Sequence, residues 1–168
     1  MCWSIDKNGL LKDLKECSKK TAKDITVYKI GDIKEDKFIP YYHNDFYYLI
    51  NKFNDEIKLK IEEFDDKIII GDGYHSYSKD CYIYQDSDND GICICNDKNE
   101  SFDTYISIIR ANFIGKFIIP KGSVYYENED GEIVSSQLVW TGESFPIINL
   151  PKSNSDIFFN KLNYVLGN

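Results

Sequence analysis

Arginine is almost missing from this chain: Arg110 is the single one among 20 basic residues. The planar fork that grips a carboxylate or phosphate with two parallel hydrogen bonds is therefore available once. An anion site would have to rely on lysines and backbone N–H groups. Histidine is nearly as scarce, with His43 and His75 the only imidazoles. No serine sits in a G-x-S-x-G turn, and neither H-E-x-x-H nor a glycine-rich phosphate loop occurs, which removes the standard hydrolase, zinc-protease and P-loop readings. No stretch approaches the roughly 20 apolar residues that cross a bilayer. The opening MCWSIDKNG also lacks the apolar core of a secretion signal, so a soluble cytoplasmic protein with no membrane partner is expected.

What is present is acidic. The 28 Asp and Glu outnumber 20 Lys and Arg, and the formal charge of −8 would repel a phosphate backbone wherever it is not locally overturned. General nucleic-acid binding is excluded on that ground. A length of 168 residues fits one domain over 1–168 that buries enough surface to fold without a disulfide or metal. The five cysteines, Cys2, Cys17, Cys81, Cys93 and Cys95, are odd in number and read as reduced thiols.

Hydrophobic periodicity predicts an α+β domain. Leu10, Leu14 and Cys17 share a helical stripe near 9–20. ITVYKI at 25–30 is a strand that Gly31 stops. Phe46, Ile50 and Phe53 repeat at i, i+4, i+7 and predict a helix over 43–54, whereas Ile57, Leu59 and Ile61 alternate with charges as a strand does. KIIIGDGYHSYS is a buried strand entering a glycine bend. CYIYQ, ICICN, TYISIIRANF, GKFIIP, VYY and EIVSSQLVW add a mostly antiparallel β pattern, with PKGS as a turn and ENEDGE as a hairpin tip. The tail SNSDIFFNKLNYVLGN carries Ile157, Phe158, Leu162, Val165 and Leu166 at helical spacing. The expected fold is thus a curved, split antiparallel sheet flanked by N- and C-terminal helices.

The run DSDNDGICICND matches the oxygen count of a calcium loop, with Asp86, Asp88 and Asp90 at alternate positions, Gly91 at the bend and Asp97 closing it. Strand-like flanks favour the other reading, a hairpin whose turn carries solvated aspartates. Calcium is the one cofactor the sequence suggests. Cys93 and Cys95 share a strand face, and Cys81 is expected opposite Cys95, with His75 as a fourth zinc donor. The Cys-x-Cys spacing is not the usual zinc knuckle, and small core thiols are the plainer reading.

Three segments, VYKI (27–30), GYHSYS (73–78) and IPKGSVYYENEDGEIVSSQLVW (119–140), carry a resemblance. The chain resembles short proteins of gut Bacteroidales and their phages that share a YK strand, a G-[YF]-H-S segment and an IPKGSxYY hairpin. More distantly, its order of elements is similar to that of ADP-ribosyltransferases. In that family split antiparallel sheets hold NAD with an early Arg or His, a Ser-x-Ser strand and a late catalytic Glu.

That similarity implies that Lys29 takes the early basic position, Ser76 and Ser78 the Ser-x-Ser strand, and Gln137 the catalytic one. A neutral amide at Gln137 supplies no negative charge to an oxocarbenium-like transition state. The resemblance therefore implies a non-catalytic module that binds a nucleotide-like, NAD-derived ligand through Lys29, Tyr74, His75, Ser76, Ser78 and Gln137, with Tyr77 as a further stacking ring. Such a protein would serve a phage as an accessory or counter-defence factor in the host cytosol. The alternatives are an active ADP-ribosyltransferase-like enzyme using Glu132, and a structural or virion-associated interaction protein with tyrosine-rich contact faces.

Overall fold

Ile25, Val27 and Ile33 alternate along one face of a ten-residue strand, and β-branched residues at such spacing fit a pleated, buried surface. A computed structural model describes residues 3–6, 21–41, 45–78, 82–86, 91–95, 107–109, 112–127, 132–146 and 160–161. Of these, 3–6, 82–86, 91–95, 107–109 and 160–161 are described by their backbone alone. In chain order the strands are β1 (Trp3–Asp6), β2 (Ile25–Lys34), β3 (Lys37–Pro40), β4 (Tyr48–Leu49), β5 (Leu59–Phe64), β6 (Lys67–Asp72), β7 (Tyr74–Tyr77) and β8 (Tyr82–Asp86). They continue with β9 (Gly91–Cys95), β10 (Ser107–Ile109), β11 (Phe113–Ile119), β12 (Tyr125–Glu127), β13 (Glu132–Ser135), β14 (Val139–Pro146) and β15 (Asn160–Lys161).

Among the described residues the ladders are antiparallel and form three sheets. The largest runs β12-β13-β7-β2-β11-β14, with β3 and β4 continuing from β2. It curls until β4 meets β14: Ile50 forms a parallel bridge with Trp140, and the Asn51 amide donates to the Trp140 carbonyl at 2.8 Å. Inside the curl, Phe38, Tyr48, Phe117 and Trp140 pack edge to face or tilted. Their ring centroids are 4.9 Å apart for Tyr48–Phe117, 5.0 Å for Phe38–Phe117 and 5.6 Å for Phe38–Trp140, the arrangement that ring quadrupoles favour. Two glycines make room for these rings. A Cβ on Gly31 would stand 2.2 Å from the Ile39 carbonyl oxygen, and one on Gly115 would stand 2.6 Å from the Phe38 ring. A second, smaller core joins Ile68 and Ile70 of β6 to Tyr126 and Val134, on the outer face of β12-β13.

Several expectations are corrected. Gly31 does not stop its strand; β2 runs on to Lys34 because the missing Cβ lets β3 and Phe38 close over it. The helix expected over 43–54 is absent from its described part, 45–54, where β4 pairs with β3 and Asn51 adopts a left-handed φ of 56°. Its stripe is split as well, since Phe46 is buried and Phe53 exposed. In the tail, Asn160–Lys161 is a strand paired with β8 rather than part of a helix. The rest of that tail and the 9–20 stripe lie outside the described residues, and no helix occurs among the described ones. Strands are present where KIIIGDGYHSYS, CYIYQ, ICICN, GKFIIP and VYY predict them, as β6 with β7, β8, β9, β11 and β12, while EIVSSQLVW, expected as one segment, divides between β13 and β14. The β12/β13 pair carries the ENEDGE segment between its ends.

Candidate functional site

Alternation along β2 puts Lys29 on the face of Val27, and alternation along β7 puts Ser76 on the face of Tyr74. Val27 and Tyr74 both belong to the core inside the curl, so Lys29 and Ser76 point into it and are 8% and 1% exposed. The Lys29 ammonium donates to the His75 carbonyl oxygen at 2.6 Å. Desolvation by burial lowers its pKa from 10.5 to about 7. The Ser76 hydroxyl is buried without a hydrogen-bond partner among the described residues. His75 and Tyr77 alternate to the opposite face of β7 and are half-buried, while Ser78 is buried just past the strand's end.

Gln137 is placed differently. Its Nε2 donates to Asp55 Oδ1 at 2.7 Å, and its Oε1 accepts the Leu138 amide at 3.1 Å. The expected ligand set is therefore divided. Lys29 and Ser76 sit in packed interior, while Gln137 braces a surface loop.

That loop forms one wall of a groove of about 450 Å³ lined by Tyr47, Leu49, Lys52, Phe53, Asn54, Asp55 and Glu56. Asn54 organises it, donating from Nδ2 to the Tyr47 carbonyl at 3.2 Å and accepting the Glu56 amide on Oδ1 at 3.0 Å. The latter is the local Asx turn that asparagine favours. Tyr74 secures the loop from inside: its hydroxyl donates to the Asn54 carbonyl and accepts the Ile57 amide at 3.2 Å. Burial is the first cause raising the Tyr74 pKa, and the nearby Asp55 and Glu56 carboxylates add to it. Phe53 stands 66% exposed and Tyr47 47%, and the Lys37 ammonium lies 4.5 Å from the Tyr47 ring centre. The groove thus offers two accessible rings, the Lys52 ammonium and two carboxylates.

Sequence reasoning missed Tyr47, Lys52 and Phe53 because 43–54 reads as helix, and Asp55 and Glu56 because they fall between that helix and the strand expected from Ile57. The signal was Asn54-Asp55, a turn-forming pair directly after Phe53.

Around the aspartate run, β8 and β9 pair up to Asp86 opposite Gly91, so strands flank it where a calcium loop of the helix-loop-helix kind has helices. Asp88, Asp90 and Asp97 lie outside the described residues. Tyr82, not Cys81, stands opposite Cys95, which corrects the thiol register, and Cys81 itself lies outside the described residues. Among the described residues no cluster of His, Cys, Asp and Glu is arranged to hold a metal, and no helix is long and apolar enough to cross a membrane. In comparisons with known proteins, no family model, curated protein or solved structure matches the chain.

Proposed function

We propose that this chain is a non-catalytic binding module whose groove at Tyr47, Lys52 and Phe53 takes a nucleotide-like ligand of the NAD-derived class. The observation that carries the reading is the large outward exposure of Phe53 beside Tyr47 in a groove braced from within by Tyr74 and at the surface by Gln137. A planar base would stack on these rings. Lys52 would meet a phosphate, and Asp55 or Glu56 would accept from ribose hydroxyls, as carboxylates do in dinucleotide sites. Two residues of the expected ligand set, Tyr74 and Gln137, would then act by positioning the loop. In a phage, such a module would sequester a host nucleotide.

An active transferase finds less support. Glu132 stands opposite Tyr77 while Ile133 stands opposite Ser76. Opposed residues share a face and faces alternate, so Glu132 points away from Ser76. Glu143 is engaged with Lys116 at 3.1 Å. A second reading, a virion-associated or other interaction protein, is favoured by the exposed Tyr41, Leu49 and Ile50. Stoichiometric recovery of the chain in purified virions would support it.

Thermal denaturation with NAD, ADP-ribose and AMP tests the main proposal. A ligand at a hundred times its Kd stabilises the folded state by about 2.7 kcal/mol. The melting temperature should rise with at least one of them in the native chain and stay unchanged in Phe53→Ala. No shift with any of the three removes the nucleotide reading.

A further inference from the structure

Among the described residues, β5 ends its three-stranded sheet with one neighbour, β6. A strand in that position turns half of its backbone N–H and C=O groups outward, ready to template another strand. Lys60 to Phe64 are all exposed, including Ile61 at 47% and Phe64 at 66%. Charges on an edge strand normally repel a second strand. Here their order selects one partner, which is the same strand of another copy.

A twofold antiparallel pairing must set one residue opposite itself, because opposed side chains share a face and faces alternate along the strand. Centring on Lys60, Glu62 or Glu63 opposes like charges at the axis. Centring on Leu59 sets Lys58 against Lys60, and centring on Phe64 sets Glu63 against Asp65. Centring on Ile61 avoids every such clash. Ile61 then meets Ile61 of the partner subunit, Lys60 meets Glu62 of the partner subunit twice over, and Phe64 falls opposite Lys58 of the partner subunit. Lys60 also holds Asp72 at 3.0 Å on the neighbouring strand.

We propose that β5 is a self-association edge through which two copies of this chain pair antiparallel about a twofold axis at Ile61. A short ladder buries less surface than a standard stable interface, so the dimer is of the weak, concentration-dependent kind. Its charge pairs are exposed and weaken with salt.

Sedimentation velocity on the full chain, over a concentration series reaching about 1 mM where small interfaces associate, provides the test. The native chain should move from monomer toward dimer. Lys60→Glu alone and Glu62→Lys alone should remain monomeric, since each opposes like charges. An equimolar mixture of the two should dimerise again, because every opposed pair is then complementary. Both positions are exposed, and circular dichroism is the check that each variant folds. A native chain that stays monomeric throughout, single variants that associate as the native chain does, or a mixture that fails to associate would each overturn the proposal.

Discussion

The Lys29 ammonium reaches the main-chain carbonyl of His75 at 2.6 Å across the point where β2 and β7 part, after the one registered pair of Tyr28 with Tyr77. A side chain there bridges two strands whose backbone ladder has ended. It does so with a buried amine whose pKa is lowered to about 7.

The sign of that shift fixes a pH dependence. Below about pH 7 folded and unfolded chains both hold the proton, and the cost of burying the charge is borne in full. Between 7 and 10.5 the folded amine has shed a proton that the unfolded one keeps, so stability rises with pH by up to about 1.4 kcal/mol per unit from this group. Urea unfolding at intervals from pH 6.5 to pH 9 should show that rise, and Lys29→Met should flatten it. An equal slope in both proteins would assign the dependence to other groups.

Gly31 and Gly115 face the Phe38 ring from adjacent strands, and substitution at either overfills the core. Gly31→Ala sets its Cβ against backbone, so it should cost about 3 kcal/mol or more in chemical denaturation. Gly115→Ala meets side chains alone, and Phe38→Leu in the same chain should recover part of its loss. If the pair were additive, Phe38 would not be the obstacle.

Tyr74→Phe removes the hydroxyl that joins the Asn54 carbonyl and the Ile57 amide. It should lower stability by about 1–2 kcal/mol and raise amide hydrogen exchange at Ile57. Gln137→Ala frees Asp55 at a more exposed contact and should cost less than Tyr74→Phe. The reverse order would mean that the loop is held mainly from the Gln137 side.

Phe53→Ala separates binding from folding. At 66% exposure the ring adds little to the core, so unfolding should change by no more than about 0.5 kcal/mol. Ligand-induced stabilisation should vanish. A large loss of stability would mean that Phe53 packs as structure and is not a stacking platform.

Strands were legible from β-branched runs, as in KIIIGD, whose three consecutive isoleucines read as a strand, although the sequence does not show that Ile68 and Ile70 are the buried ones. β4 was not legible, because Phe46, Ile50 and Phe53 have helical spacing while long-range pairing with β3 and the left-handed Asn51 decide the backbone. The β2–β3 turn was equally hidden. Its positive φ angles fall on Glu35 and Asp36, at 51° and 63°, without the Asn or Gly that usually marks such a hairpin. Strand alternation puts Tyr74 and Ser76 on one face, although the expected ligand set joined them with His75 from the other. Alternation could not reveal that this face is the aromatic interior, because burial depends on what curls over it. The groove was out of reach for the same reason: it exists only once β4 has replaced the expected helix.

The Ile50–Trp140 bridge has a mechanical consequence. Most of the wall of the curl is stitched by multi-residue ladders, but at this junction, as between β2 and β7, a single rung holds it, here with one neighbouring amide, like a cylinder closed with a single clasp. Breathing motions should begin there, and the Asn51 amide should therefore trade its proton with solvent sooner than the amides of β11, on the opposite flank of β14.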